Sequence, residues 1–589
     1  MSFYDDASLV FLPSGEAGKD GKAYSMKPTN GNGDFTFSRG SNLTSTRIDS
    51  NGLIEKGREN LLYQSNQFDT TWTRSASDLT SGQSGYDGSS DAWLLTAATP
   101  SGFSSRLNQV LSPSSSGVLN FSVYAKANTL DWILLDGLGT NGFAAWFDVR
   151  NGVKGQVTST SIGSKITSVG NGWYRCEVFG NATTLTEVRI YVTDSNGTTT
   201  ANDGDGCYIQ DAQLEQGLVA TEYIESGATT GKAGLLEDSP RFDYSGGASC
   251  PSLLLEPSRT NLIDYSEAIE FGISTNECTQ TITNQTNPSG NNVSYLASAI
   301  DSVNDQMRYD KNGLSSGSYF LSAFVKGDGN TNRIRMRGTG GGVTIGNVYW
   351  DVAADGTTTL NTSLSPSGVN AITEDYGDGW YRIGFEETFD GSSTSRFAIY
   401  PSNGDVNAST YIWGVQWEQG SYPTSYIPNH SGGSVTRNAD VNTLLNQSGV
   451  IGQTAGTILF DAYFDEADKV NFSISDSTSS NYILIDTTSG KQVFVRVQQG
   501  GSTQATISTS GSFFTEGDRL KCAIAYDDRD MAFYINGTQV GTAAPNLIPA
   551  CDDVRFSRWN GALAADQRVN RVVLFTTRIS NANLATLTS

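Results

Sequence analysis

Hydrolytic chemistry in this chain would need a nucleophile with its base, a metal centre or a pair of carboxylates, and residues for the first two are scarce. There is one histidine, His430, within Pro428-Asn429-His430-Ser431-Gly432-Gly433, which reads as a solvated loop. A Ser-His-Asp triad would have to use it, and a histidine-rich metal centre cannot be built. Two acids recur in equivalent settings, Glu215 in Gln213-Leu214-Glu215-Gln216-Gly217 and Glu418 in Gln416-Trp417-Glu418-Gln419-Gly420. Two carboxylates suffice for glycoside cleavage. Their strand-like contexts, however, suit acids that hold turn amides or pair with Arg175 and Arg382. Asp203-Gly204-Asp205 has the alternating acids of a calcium loop but not the closing glutamate of an EF-hand, so an ordinary polar turn is expected. Gly338-Thr339-Gly340-Gly341-Gly342 lacks the Lys-Ser/Thr of a phosphate loop and reads as a strand connection. No catalytic residue and no cofactor is expected.

Sugar binding asks for less: exposed rings for the C–H faces of a pyranose, beside amides and charged groups for its hydroxyls. Trp132, Trp146, Trp350 and Trp413 are candidate rings, and Arg558-Trp559-Asn560 sets a guanidinium, a ring and an amide side by side. That triplet lies between two strand-like stretches, Asp553-Val554-Arg555-Phe556 and Arg571-Val572-Val573-Leu574-Phe575, and so falls in a loop, where binding residues concentrate.

The elements that must position these residues occur twice. Asn60-Leu61-Leu62, Phe121-Ser122-Val123-Tyr124-Ala125-Lys126, Gly172-Trp173-Tyr174-Arg175 and Thr221-Glu222-Tyr223-Ile224 return in the same order as Asn261-Leu262-Ile263, Leu321-Ser322-Ala323-Phe324-Val325-Lys326, Gly379-Trp380-Tyr381-Arg382 and Thr424-Ser425-Tyr426-Ile427. The offset is 201 from Asn60 to Asn261, 200 from Phe121 to Leu321 and 207 from Trp173 to Trp380. A period this long marks tandem domains and not a solenoid. Within each copy apolar and polar residues alternate, and Ser, Gly and Asn runs separate the stretches, the pattern of a β-sandwich. Trp173 and Trp380, at the same place in both copies, are expected to be core residues.

Composition agrees. The 589 residues are 10% aromatic and only 17% charged, with 64 glycines, which suits an all-β protein of many short strands. A formal net charge of −23 opposes nonspecific binding to nucleic acid. No signal peptide, transmembrane segment or membrane insertion is read from the sequence. Six dispersed cysteines without a CxxC pair read as buried free thiols of a chain made in a reducing cytoplasm.

Four segments are expected: 1–59, a small leading segment with little apolar surface of its own; 60–236, the first repeat; 237–440, a connector and the second repeat; and 441–589, a third strand-rich domain. The last contains the hairpin Phe533-Tyr534-Ile535-Asn536-Gly537-Thr538 and a short closing helix with Ser580 as N-cap.

Leu253-Leu254-Leu255-Glu256-Pro257-Ser258-Arg259-Thr260-Asn261-Leu262, the Gly-Trp-Tyr-Arg strands, and Tyr426-Ile427-Pro428 leading into Val435-Thr436-Arg437-Asn438-Ala439-Asp440 resemble phage virion appendage proteins of the tail-fibre, spike and head-fibre group. The resemblance implies two jelly rolls similar to carbohydrate-binding modules, followed by a concanavalin-like or laminin-G-like sandwich. It also implies a place on the virion surface, attachment to a host-surface glycan, contact with other virion proteins through residues 1–59, and assembly as a homotrimer. Modules of this kind often hold a structural calcium ion, for which Asp203 and Asp205 are the candidates. A purely structural decoration protein and a surface-polysaccharide depolymerase are the alternatives. With the N-terminus at the particle, the C-terminal sandwich would be the host-facing tip.

Overall fold

The computed structural model describes the chain except residues 1–2, 14–17, 20, 41–42, 99–103, 277, 301–304, 332, 403–407 and 563. The described elements are almost all antiparallel strands, as expected, with one short α-helix, Asn581–Thr588, capped by Ser580, whose side chain accepts from the Asn583 amide. The chain forms two compact units, and both are discontinuous. One comprises 57–234 and 260–435; the other comprises 1–56, 235–259 and 436–589.

In the first of these units, the two repeats are two jelly rolls. In the first repeat the strands Arg106–Ala127 and Trp173–Thr193 pair along nearly their whole length, with register shifts around Ser115. The offset there lets each strand serve both layers of the sandwich. The second repeat divides the same path: Gln306–Lys311 and Ser395–Tyr400 lie in one six-stranded sheet, Gly317–Gly327 and Tyr381–Phe389 in the other. Alternate residues of these strands fill the two cores, Phe121, Val123, Cys176 and Val178 in the first, Leu321, Ala323, Ile383 and Phe385 in the second. Trp173 and Trp380 are buried, at 1% and 2% exposure.

The repeated landmarks hold the repeats closed. Asn60 Nδ2 donates to the carbonyls of Ala212 and Ile224 at 3.1 and 2.9 Å, while its Oδ1 accepts from the amides of Leu62 and Leu214 at 3.2 and 3.1 Å. Asn261 makes the same four bonds, to Val415, Ile427, Ile263 and Trp417, at 3.2, 2.9, 3.0 and 3.2 Å. Gln213 and Gln416 each accept from an isoleucine amide, Ile224 and Ile427, at 2.7 Å. An amide side chain donates twice and accepts twice, so Asn saturates four backbone groups that would otherwise be buried unpaired.

The second unit corrects the expected segmentation. Leu9–Phe11 pairs with Gln567–Phe575, Leu9 opposite Leu574, and Phe35–Ser38 pairs with Val441–Leu444. From the connector, Ser252–Leu255 pairs with the other end of Gln567–Phe575. Leu9–Phe11 and Phe35–Ser38 are therefore strands of the C-terminal sandwich and not part of a separate segment, while Thr46–Ile48 and Ile54–Lys56 pair with each other. The reason is apolar burial: Leu9, Phe11, Phe35 and Phe37 have no core of their own and complete the one built by Phe460, Phe472, Val572 and Leu574. Leu253 and Leu255 enter the same core. With the N-terminal strands inside this sandwich, chain order gives no reason to set residues 441–589 at a distal tip.

A buried ionic cluster joins the three pieces of this unit. Arg241 bonds Glu256 at 2.6 Å and also bonds Asp440. Arg437 reaches Glu256 at 2.7 Å, and Arg39 reaches Asp440 at 3.1 Å. All three guanidinium side chains have 0% exposure. Burial, then the neighbouring Glu256 and Asp465 carboxylates, push Asp566 well above the usual carboxylate range. The Leu-Glu-Pro-Ser-Arg-Thr-Asn motif is thus structural: Leu255 in the core, Glu256 in the cluster, Asn261 in the latch of the second repeat.

Candidate functional site

The outer face of one sheet of the C-terminal sandwich is where side chains suited to binding converge. Along Gly456–Phe464 the residues Ile458, Phe460, Ala462 and Phe464 enter the core, so Asp461 and Tyr463 face outward. Tyr463 stands in register with Arg519 on one neighbouring strand and Arg568 on the other. The Arg568 guanidinium lies 4.3 Å from the Tyr463 ring centroid and that of Arg519 lies 6.0 Å away. Beside this row opens a cavity of about 750 Å³, lined also by Tyr24, Ser25 and Met26 from the loop after Lys22–Ala23, by Asp243, Ser249 and Ser252 from the connector, and by Asn570. Three separate stretches of sequence build it.

The charged groups of the wall are already engaged, and Asp461 also takes Arg571 at 3.1 Å. Arg519 donates to Asp461 from Nε and Nη2 at 2.8 and 2.9 Å, and Arg568 donates to Asp465 in the same way at 3.0 and 2.8 Å. The hydrogen bonds to Asp461 raise the pKa of Arg519. Burial works against the Arg568 charge, and the bonds to Asp465 more than offset it. Asp243 accepts from the Ile48 and Ser245 amides at 2.7 and 3.0 Å. Asn570 differs: its Oδ1 accepts from the Ser252 hydroxyl at 2.7 Å, while its buried Nδ2 has no hydrogen-bond partner. A buried donor left open at a cavity wall is costly unless something fills it. A ring, an amide with an unpaired buried donor, hydroxyls and ion-paired guanidinium groups form a surface that suits polyhydroxylated, uncharged molecules.

The sequence candidates are scattered. Trp559 stacks on Tyr482, with centroids 4.6 Å apart and planes at 13°, and the Arg558 guanidinium lies 5.5 Å from its ring. It is half-buried against the outside of the other sheet, and Asn560 is spent on the turn, accepting from the Ala562 amide at 3.1 Å. Trp132 and Trp146 do come together, half-buried on one face of the first repeat, where a Cβ at Gly155 would sit 2.6 Å from the former and 2.9 Å from the latter. Trp146 Nε1 donates to the Thr198 carbonyl at 2.6 Å. Trp350 and Trp413 are corrected: at 0% and 1% exposure both are buried, and neither offers a face to a sugar. Trp350 Nε1 donates to Thr373 at 2.8 Å.

Glu215 and Glu418 hold turns. Each accepts from a threonine amide, Thr221 at 2.7 Å and Thr424 at 2.9 Å, and from that threonine's hydroxyl at 2.7 Å. Arg175 and Arg382 donate to the Thr221 and Thr424 carbonyls of the same turns, and the Arg175 charge acts on Glu215. His430 is also corrected: it is 9% exposed, its carbonyl accepts from the Val118 amide at 2.9 Å, and its Nε2 lies 4.0 Å from Glu267. Asp203 and Asp205 lie at a turn closed by the Asp205 amide on the Asn202 carbonyl, and among the described residues no group of three or more His, Cys, Asp or Glu is placed to hold a metal. Of the six thiols five are buried, and Cys250 is exposed at the rim of the cavity, contrary to expectation.

No protein-family model and no curated relative matches this chain. Among solved structures, the CBM40 of the Ruminococcus gnavus IT-sialidase bound to α2,3-sialyllactose aligns at a TM-score of 0.22 and 15% identity, over 24% of this chain and 86% of that one. Domain 4 of the Geobacillus stearothermophilus arabinanase AbnA, in complex with arabinotriose, aligns at 0.22 and 9%, over 29% and 83%. The CBM22-1-CBM22-2 tandem of Paenibacillus barcinonensis Xyn10C aligns at 0.20 and 11%, over 65% and 100%. These neighbours are carbohydrate-binding modules and a sugar-binding domain, and overlaps this slight assign no ligand to the present chain.

Proposed function

We propose that this protein is a non-catalytic glycan-binding component of a phage virion appendage, displayed on the particle surface, and that the cavity beside Tyr463 and Asn570 seats the sugar. The carrying observation is the open Nδ2 of Asn570 next to the outward Tyr463 ring in a 750 Å³ cavity. Charge balance around it favours a neutral saccharide, since Arg568 is held by Asp465, Arg519 and Arg571 share Asp461, and Asp243 adds a third carboxylate. Glu215 and Glu418 are occupied with turns, which supports binding over cleavage. The motif resemblance supports the virion setting. Weak sugar contacts gain strength when several copies act together, which supports a homo-oligomer, a trimer by that same resemblance. A glycan array probed with the full chain, paired with an assay for released reducing ends, tests the reading. Binding to neutral host-surface glycans without product release is expected. Released oligosaccharide would make it a depolymerase, and silence in both assays a decoration protein.

A further inference from the structure

A second cavity, about 520 Å³, opens between the two jelly rolls of the duplicated unit. Its walls come from both copies: Lys154, Lys165, Glu177, Phe179 and Leu218 from the first, and Asn284 and Asn292 from the second. Phe179 and Leu218 also pack against the core of the second repeat, so the floor is apolar and fixed by the same contacts that join the copies. A site built where two rigid modules meet does not depend on loop order.

Its electrostatics differ from those of the Tyr463 cavity. Lys154, on Val153–Val157, and Lys165, on Ser161–Gly170, are both exposed, and among the described residues neither enters an ion pair. Glu177 stands opposite Lys165 in the strand register, yet its carboxylate accepts from the Ala220 amide at 3.3 Å. Two ammonium groups against one engaged carboxylate leave the cleft locally positive, in a chain whose net charge is −23. Screening confines distant repulsion to about 8 Å at physiological salt, so these nearby lysines decide what the cleft attracts. The asparagine amides and the apolar floor are suited to sugar hydroxyls and C–H faces.

We infer that this inter-repeat cleft is a second saccharide site, selective for acidic sugars whose carboxylates meet Lys154 and Lys165. The inference rests on the glycan-binding reading above and adds a ligand class to it. Titration calorimetry of the full chain with oligogalacturonate, oligosialic acid and neutral oligogalactose tests it. At least one acidic oligomer should bind, and more tightly at 50 mM than at 300 mM salt, by about tenfold or more. K154A/K165A and K154E/K165E should weaken that binding about tenfold and beyond, with melting temperature unchanged because both side chains are exposed. K22A/K491A, which removes the same charge from the other compact unit, should bind as the wild type does. Acidic oligomers that fail to bind, or that bind the cleft variants as tightly as the wild type, overturn the inference while neutral-glycan binding on the array still stands. Absence of binding to any sugar, neutral or acidic, overturns the glycan reading as well.

Discussion

Asp211 and Gly414 occupy the same bulged position in the two repeats, both in the left-handed region, at φ 53° and 60°. The second repeat uses glycine because a Cβ there would lie 2.8 Å from the Phe324 ring. The first repeat keeps a carboxylate instead, buried, accepting from the Tyr86 hydroxyl at 3.0 Å beside the stacked pair of Tyr86 and Tyr124. Burial pushes the Asp211 pKa from 3.8 up to about 7. An aspartate in left-handed backbone with a desolvated carboxylate is a strained feature, and one copy of the same scaffold does without it.

The sign of its pH effect follows. Between pH 3.8 and about 7 the folded protein holds a proton on Asp211 that the unfolded chain has released, so stability from this group falls as pH rises through that window. Asp211→Asn keeps a side chain tolerant of the left-handed region and removes the titration. The melting temperature of the variant should gain on the wild type between pH 5 and pH 8. Parallel curves across that range would contradict the assignment.

Asn261→Ala should destabilise the duplicated unit by on the order of 3 kcal/mol or more, because it strands two buried carbonyls and two buried amides. Chemical denaturation followed by tryptophan fluorescence reads this out. A change below about 1 kcal/mol, the worth of one ordinary hydrogen bond, would mean that the latch is not cooperative.

Arg241→Met leaves Glu256 and Asp440 buried without their shared cation and should cost about 3–5 kcal/mol. The loss should appear in the C-terminal sandwich, the unit that contains the cluster. A melting temperature equal to the wild type would show that the remaining arginines suffice.

A chain starting at Asn60 loses Leu9–Phe11 and Phe35–Ser38, and with them Leu9, Phe11, Phe35 and Phe37 from the core. It should be poorly soluble or lack the cooperative unfolding of the sandwich by calorimetry. A truncation that melts like the full chain would contradict the three-piece architecture.

The duplicated residues were legible because copying preserved them. Asn60 with Asn261, Glu215 with Glu418 and Trp173 with Trp380 each keep one structural task in both repeats. Ring exposure was not legible: Trp350 and Trp413 look like Trp132 and Trp146 in composition, and only the tertiary environment buries the first pair. The Tyr463 cavity was hidden for a topological reason. Its row of Arg568, Tyr463 and Arg519 exists only across three paired strands, and its other walls come from residues near 25 and near 250. The local trace was the alternation in Gly456–Phe464, which turns Asp461 and Tyr463 away from the core.

The most direct test of the account is the affinity of the full chain, wild type against Tyr463→Ala, for the best neutral glycan from the array. Tyr463 lies outside the core, so the variant should melt within a few degrees of the wild type. At that unchanged stability, glycan affinity should fall at least tenfold, about 1.4 kcal/mol. Equal affinity in the two proteins would contradict it.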